Sequence, residues 1–133
     1  RPFLSVRRKE ILAYVRRHIA HGPEWVLYDD PGEKWYDCDA IRLPFEPEMW
    51  LVPLYGHTWG HCGVAVKLEN GWFFNAADAG AVYNDTTPAW LIKLVLGPHD
   101  GRLRSFMHAH PEVRLVTAHM PPEWFEKEKM NAD

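Results

Sequence analysis

Three short apolar runs follow one another between residues 49 and 76: "MWLVPLY", "CGVAVKL" and "GWFFNA". Each is too short for an ordinary helix and is rich in β-branched and aromatic residues, so each reads as a strand. The second and third are joined by "LENG", whose Asn-Gly pair is a hairpin signal. Strands joined by turns this short pair antiparallel. The centre of the chain is therefore a mostly antiparallel meander, and the rest of the sequence must pack against it.

Upstream, "EWVLYDD" and "EKWYDCDAIRLPF" read as two further strands, with "DDPGE" as the turn between them. Before these, residues 4 to 20 predict a helix: Leu4, Ile11, Leu12, Val15 and Ile19 recur at near-helical spacing. Gly22 and Pro23 close it, and His18 and His21 lie where a cation suits the helix dipole. Helical patterning returns after the meander. "PAWLIKLVL" begins with a proline suited to a first turn, and "DGRLRSFMHAH" predicts a second helix. "EVRLVTAH" reads as a buried strand and "PPEWFEKEKM" as a short C-terminal helix. The order is helix, strands, two helices, strand, helix. This is an α/β layered (α+β) arrangement of sheet and flanking helices.

The chain is 133 residues long, without repeat or linker, and is read as one domain over residues 1–133. The formal net charge of -3 argues against a protein that binds nucleic acid by neutralising phosphates. The basic residues of "RRKE" and "VRR" are read as a solvated helix face. Seven tryptophans imply a well-packed core or a substantial interface. Cys38 and Cys62 form no framework and no CxxC pair, so they are read as free thiols in a reducing, cytoplasmic compartment. No apolar run reaches the roughly 18 residues of a membrane span, and no signal peptide is evident. The first residue is Arg rather than Met, which leaves room for a natural chain that begins earlier.

The candidate ligands all fall at strand ends. His57 and His61 sit in the turn "YGHTWGHCG", Asp78 just after "GWFFNA", and His119 directly after "VRLVTA". In layered folds of strands and helices, sites collect where loops are held by a rigid sheet. Imidazole and carboxylate suit zinc, iron or manganese. Gly56 and Gly60 free the backbone to turn sharply, and the Thr58 hydroxyl can hold the loop. Other groups read more plainly. His108 and His110, two apart on a helix, do not share a face and are read as an exposed helix end. Glu123, Glu126 and Glu128 read as a solvated helix face.

"LVPLYGHTWGHCGVAV" resembles the GHTxGH segment of the metallo-β-lactamase-fold hydrolases. "WFFNAADAG" is similar to the Asp segment that follows in that superfamily, and "VRLVTAHM" to its last ligand segment. "HGPEW…YDDPGEKWYDCDAIR" looks like the run that precedes GHTxGH in one branch of it. The resemblance implies that His57 and His119 are metal ligands, that Asp78 is the carboxylate bridging two metals, and that His61 supports them. It further implies a metal-bound hydroxide attacking a carbonyl or phosphoryl centre of a small-molecule substrate.

Three departures qualify this. The superfamily's upstream HxHxDH motif, which supplies most ligands, has no counterpart in residues 1–56. Ala77 stands where Gly commonly precedes the Asp, a substitution tolerable at negative φ and costly otherwise. Met120 stands where an Asp often follows the last His, removing a contact of the kind that tunes metal affinity. The resemblance thus implies the C-terminal half of an αββα sandwich, with an incomplete metal site and no catalytic residue assigned. Such a half would expose one sheet face, so a partner is expected: a second copy of the chain, or a separate N-terminal half. Two functions follow as expectations. One is a metal-dependent hydrolase-like protein, and the other is a non-catalytic half-fold acting as a dimeric or binding module.

Overall fold

The computed structural model describes residues 17, 20–24, 26–28, 31–81 and 86–120. The helix expected over residues 4–20, with His18, lies almost wholly outside them, as do the C-terminal helix and Glu123, Glu126 and Glu128.

The described chain forms six strands and two helices: β1 (Glu33–Trp35), β2 (Cys38–Leu43), β3 (Met49–Pro53), β4 (Cys62–Leu68), β5 (Gly71–Asn75), α1 (Ala89–Leu96), α2 (Asp100–Ala109) and β6 (Val113–Val116). They make one mixed sheet in the order β1-β2-β3-β4-β5-β6. Successive strands from β1 to β5 pair antiparallel, and β6 joins β5 in parallel after the chain has passed through both helices. The meander and the layered α+β architecture expected from the sequence are both present.

Two strand expectations need correction. "EKWYDCDAIRLPF" is not one strand but the β1–β2 hairpin, with Trp35 opposite Cys38 across a two-residue turn. Tyr36 enters this turn at φ 52. Hairpin turns need such a conformation, and Gly or Asn normally supplies it, so nothing in "WYDC" announced the bend. The Tyr36 ring is held there by His110 at 4.4 Å and edge-on to Trp35 at 5.0 Å. The second correction concerns "EWVLYDD". Val26, Leu27 and Tyr28 belong to no strand and are exposed at 70%, 74% and 38%. β1 remains at the edge of the sheet instead.

The core follows from strand alternation. Register places Trp50 opposite Ala65, Ala65 opposite Phe74, and Phe74 opposite Leu115, so one row of side chains crosses four strands on the same face. All four are buried. Leu103 and Phe106 of α2 cover this face, and Trp35 and Phe74 pack about the Phe106 ring with centroids 5.4 and 5.8 Å away. Gly63 is required beneath Phe74, because a Cβ there would lie 2.6 Å from the ring. On the other face Ile41, Leu51, Val64, Val66, Phe73 and Val116 are half-buried rather than exposed. α1 packs separately, burying Ile92 and Leu96 with Ala81 in a small second cluster. No helix among the described residues is long and apolar enough to cross a membrane.

Candidate metal centre

Three connections meet at one end of the sheet. The first is the β3–β4 turn, closed where the Leu54 N–H donates to the His61 carbonyl at 2.9 Å. Within it the Thr58 carbonyl accepts from the N–H groups of Gly56 (3.1 Å) and His61 (3.4 Å). The second is the loop after β5, where Ala79 N–H donates to the Ala76 carbonyl at 3.1 Å. The third is the end of β6. It is tied to the second by bonds from Ala76 N–H to the Val116 carbonyl (2.9 Å) and from Ala118 N–H to the Ala77 carbonyl (2.8 Å). Parallel pairing of β5 with β6 puts both C-terminal ends at this edge, so Asp78 and His119 become neighbours although 41 residues apart.

The side chains form a linked series. His61 Nδ1 lies 3.1 Å from the Leu54 carbonyl, and its Nε2 lies 3.1 Å from the Asp78 backbone N–H. A carbonyl can only accept and an N–H can only donate. The ring must therefore be neutral, with its proton on Nδ1. Burial pushes the His61 pKa down, against the raising effect of the Leu54 carbonyl. Both ring nitrogens of His61 are engaged with backbone. His119 Nε2 pairs with Asp78 Oδ1 at 3.1 Å, and both side chains are partly open to solvent, at 47% and 40% exposure.

His57 points elsewhere. Its ring centroid lies 6.0 Å from that of His61, but its Nδ1–H donates to the Val95 carbonyl at the end of α1, 3.0 Å away. That bond leaves Nε2 as the basic nitrogen, the arrangement in which a histidine ligand is held by a partner at its other nitrogen. The turn is gripped a second time by His99, whose Nε2–H donates to the Tyr55 carbonyl at 2.8 Å. Gly56 and Gly97 meet backbone to backbone between these bonds: a Cβ on Gly97 would lie 3.0 Å from Gly56 Cα.

His99, Asp100 and Arg104 were not among the residues singled out from the sequence. Asp100 Oδ1 accepts the Ala81 N–H at 2.7 Å, and its Oδ2 accepts from Arg104 Nε at 2.8 Å. Arg104 Nη2 in turn donates to the Ala81 carbonyl at 3.1 Å. Together they brace the loop that carries Asp78. The signal was an acidic residue opening a helix with an arginine four positions on. His110 also differs from expectation. It is half-buried against the Phe106 ring at 4.7 Å and lies 3.6 Å from Glu112, whereas His108 is exposed.

A catalytic metal site of the zinc type needs three protein donors and an open position. Among the described residues, no group of three or more His, Cys, Asp or Glu side chains is arranged to hold a metal ion. Asp78 and His119 are turned toward each other, His61 is used on both sides, and His57 is anchored to α1. The described residues do not by themselves fit a resident metal.

No family model matches the chain. No solved structure matches it either. Two curated proteins do, one from Mycobacterium bovis and one from Mycobacterium tuberculosis, and both are named probable metallo-hydrolase. Each is 36% identical to this chain over 74 residues, which is 53% of this chain and 24% of the relative. The chain is thus related to metallo-hydrolases, and the match spans about a quarter of their length.

Proposed function

We propose that this chain is a metallo-hydrolase-like protein with one side of a metal site, built on the C-terminal half of a metallo-β-lactamase-type fold. What supports the reading most is the placement of His61, Asp78 and His119 at one sheet edge, from three separate segments, in a chain related to metallo-hydrolases. In this reading His57, Asp78 and His119 are the ligands. His61, Thr58, Gly56 and Gly60 shape the turn that presents them. The remaining donors come from a second copy or a separate N-terminal half, and the metal is zinc, iron or manganese. The substrate would be a small molecule with a hydrolysable carbonyl or phosphoryl centre.

Elemental analysis of the purified protein, with and without added zinc, tests this. Near-stoichiometric metal that is lost in His57→Ala and in Asp78→Asn is the expected result. A metal-free protein whose melting temperature does not move on adding zinc, iron or manganese would sink it.

The second reading is a non-catalytic half-fold that serves as a binding module. It is favoured by the Asp78–His119 pair, in which each candidate ligand satisfies the other. Asp78→Asn distinguishes the two. Under the second reading its only effect is loss of one exposed pair, about 0–1 kcal/mol, with no change in metal content.

A further inference from the structure

An eight-residue helix on the surface of a soluble domain normally turns charged residues outward. α1 does not. Its sequence, AWLIKLVL, has Lys93 as its only charge. Ile92 and Leu96 face inward, while Trp90, Leu91, Leu94 and Val95 are exposed at 68%, 36%, 74% and 54%. At 100° per residue Trp90, Leu91 and Leu94 lie opposite the buried pair, while Val95 and Lys93 fall on its two flanks. A helix apolar all round is one that is buried on both sides. At eight residues it is far too short to cross a membrane.

The patch extends beyond α1. The β3–β4 turn adds Tyr55 and Trp59, exposed at 47% and 55%. Two bonds lock that turn to the helix junction: His57 to the Val95 carbonyl and His99 to the Tyr55 carbonyl. The surface is therefore pre-organised, which lowers the ordering cost of docking. Tryptophan and tyrosine are also the side chains that most often dominate binding energy.

We propose that this face of α1 and the β3–β4 turn is where a second copy of the chain docks. The area argues for that occupant. At about 150–250 Å² for each aromatic side chain, Tyr55, Trp59 and Trp90 expose about 250–425 Å² at these fractions, and Leu91, Leu94 and Val95 bring the patch to about 600 Å². That lies at the upper end for the largest apolar patch of a monomer, about 300–600 Å². Doubled across a two-fold axis it gives about 1,200 Å², where stable interfaces begin. Among the described residues, this face carries Lys93 and no run of positive charge that would suit an anionic membrane or nucleic acid. The inference does not depend on the metal reading.

Light scattering on a size-exclusion column, at micromolar concentration, tests it on the whole chain. The expected mass is twice the 15.5 kDa of one chain. Leu94→Glu and Trp90→Ala, both at exposed positions, should shift the mass to 15.5 kDa with an unchanged circular dichroism spectrum. Phe45→Ser, exposed at 56% on another part of the surface, should leave the dimer intact. A monomeric wild-type protein would overturn the proposal, as would a dimer that survives Leu94→Glu. So would sedimentation of the wild type with phosphatidylcholine vesicles in place of self-association. A dimer without metal keeps this inference and removes the metal reading; a metal-loaded monomer does the reverse.

Discussion

At the scale of single residues, the loop after β5 stores strain and the turn after β3 fixes a tautomer. Ala77 has φ 45, the left-handed region in which a Cβ crowds the following carbonyl. It is held there by its own N–H on Asn75 Oδ1 (2.9 Å) and by the Ala118 N–H on its carbonyl. The sequence posed the question of an Ala where Gly is common, and the backbone answers it with the unfavourable sign. Ala77→Gly should therefore stabilise the fold by about 1 kcal/mol, the relieved strain exceeding the added freedom of the unfolded chain. Urea denaturation measures it, and a less stable variant would show that the Cβ is supported rather than strained. His61 makes the second case. Its folded pKa lies below the 6.5 of a free imidazole because the ring is partly buried and its Nε2 accepts the Asp78 N–H. Between the two values the unfolded chain binds the proton and the folded one does not. The contribution of His61 to stability is thus complete above pH 6.5 and is lost as the pH falls through the lowered folded value. Denaturation midpoints of metal-free protein across that window should fall with pH, and the slope should flatten in His61→Gln.

At the scale of elements, the decisive contact joins the β3–β4 turn to the α1–α2 junction. Gly97 has φ 95, and a Cβ there would meet Gly56 and the His57 nitrogen at 3.0–3.2 Å, all of it backbone that cannot step aside. Gly97→Ala should cost about 2–3 kcal/mol, combining left-handed strain with overpacking. Gly101 gives the contrast within the next helix. Nothing lies within 4 Å of a Cβ there, so Gly101→Ala should gain about 0.5 kcal/mol from helix propensity alone. Thermal unfolding of the pair checks both signs. These elements also show what could be read beforehand. β3, β4 and β5 were legible because each apolar run is bounded by turn residues, and "LENG" marked their hairpin. α1 and α2 were legible as returning helical patterns, the first opened by Pro88. The β1–β2 turn was not, because Tyr36 takes a conformation that its side chain does not signal and that packing on His110 imposes. The candidate site was legible as a list of residues at strand ends. Its wiring was not, since His57 to Val95 and Asp100 to Ala81 are contacts between segments whose spacing encodes nothing about their approach.

At the scale of the whole molecule, the two apolar clusters formed by the described residues differ greatly in size, and stability should follow that division. The main cluster ties β1 to β6 and α2 together through Trp35, Phe74 and Phe106. The second holds α1 by Ala81, Ile92 and Leu96. Elements with few buried contacts open locally at a fraction of the global free energy. In a dilute monomer, amides of α1 should therefore exchange with solvent well before those of β4 and β5, which are hydrogen-bonded on both sides within the sheet. Docking of a second copy on the outer face of α1 changes this in a specific way. Anything that binds only the closed form stabilises it by mass action, so α1 protection must rise with protein concentration. Amides of β4 and β5, central in the sheet, should exchange only through global opening. Their protection reports total stability, and it should rise only as far as the dimer stabilises the whole fold. Hydrogen exchange at two concentrations spanning the monomer–dimer transition separates the effects. Slowing confined mainly to Ile92–Leu96 and to the β3–β4 turn is the expected pattern, and Leu94→Glu should abolish it while leaving β4 and β5 protected. Slowing centred instead on Leu51, Val64 and Phe73 would place the contact on the sheet's other face. The α1 patch would then be left without a partner of its own kind.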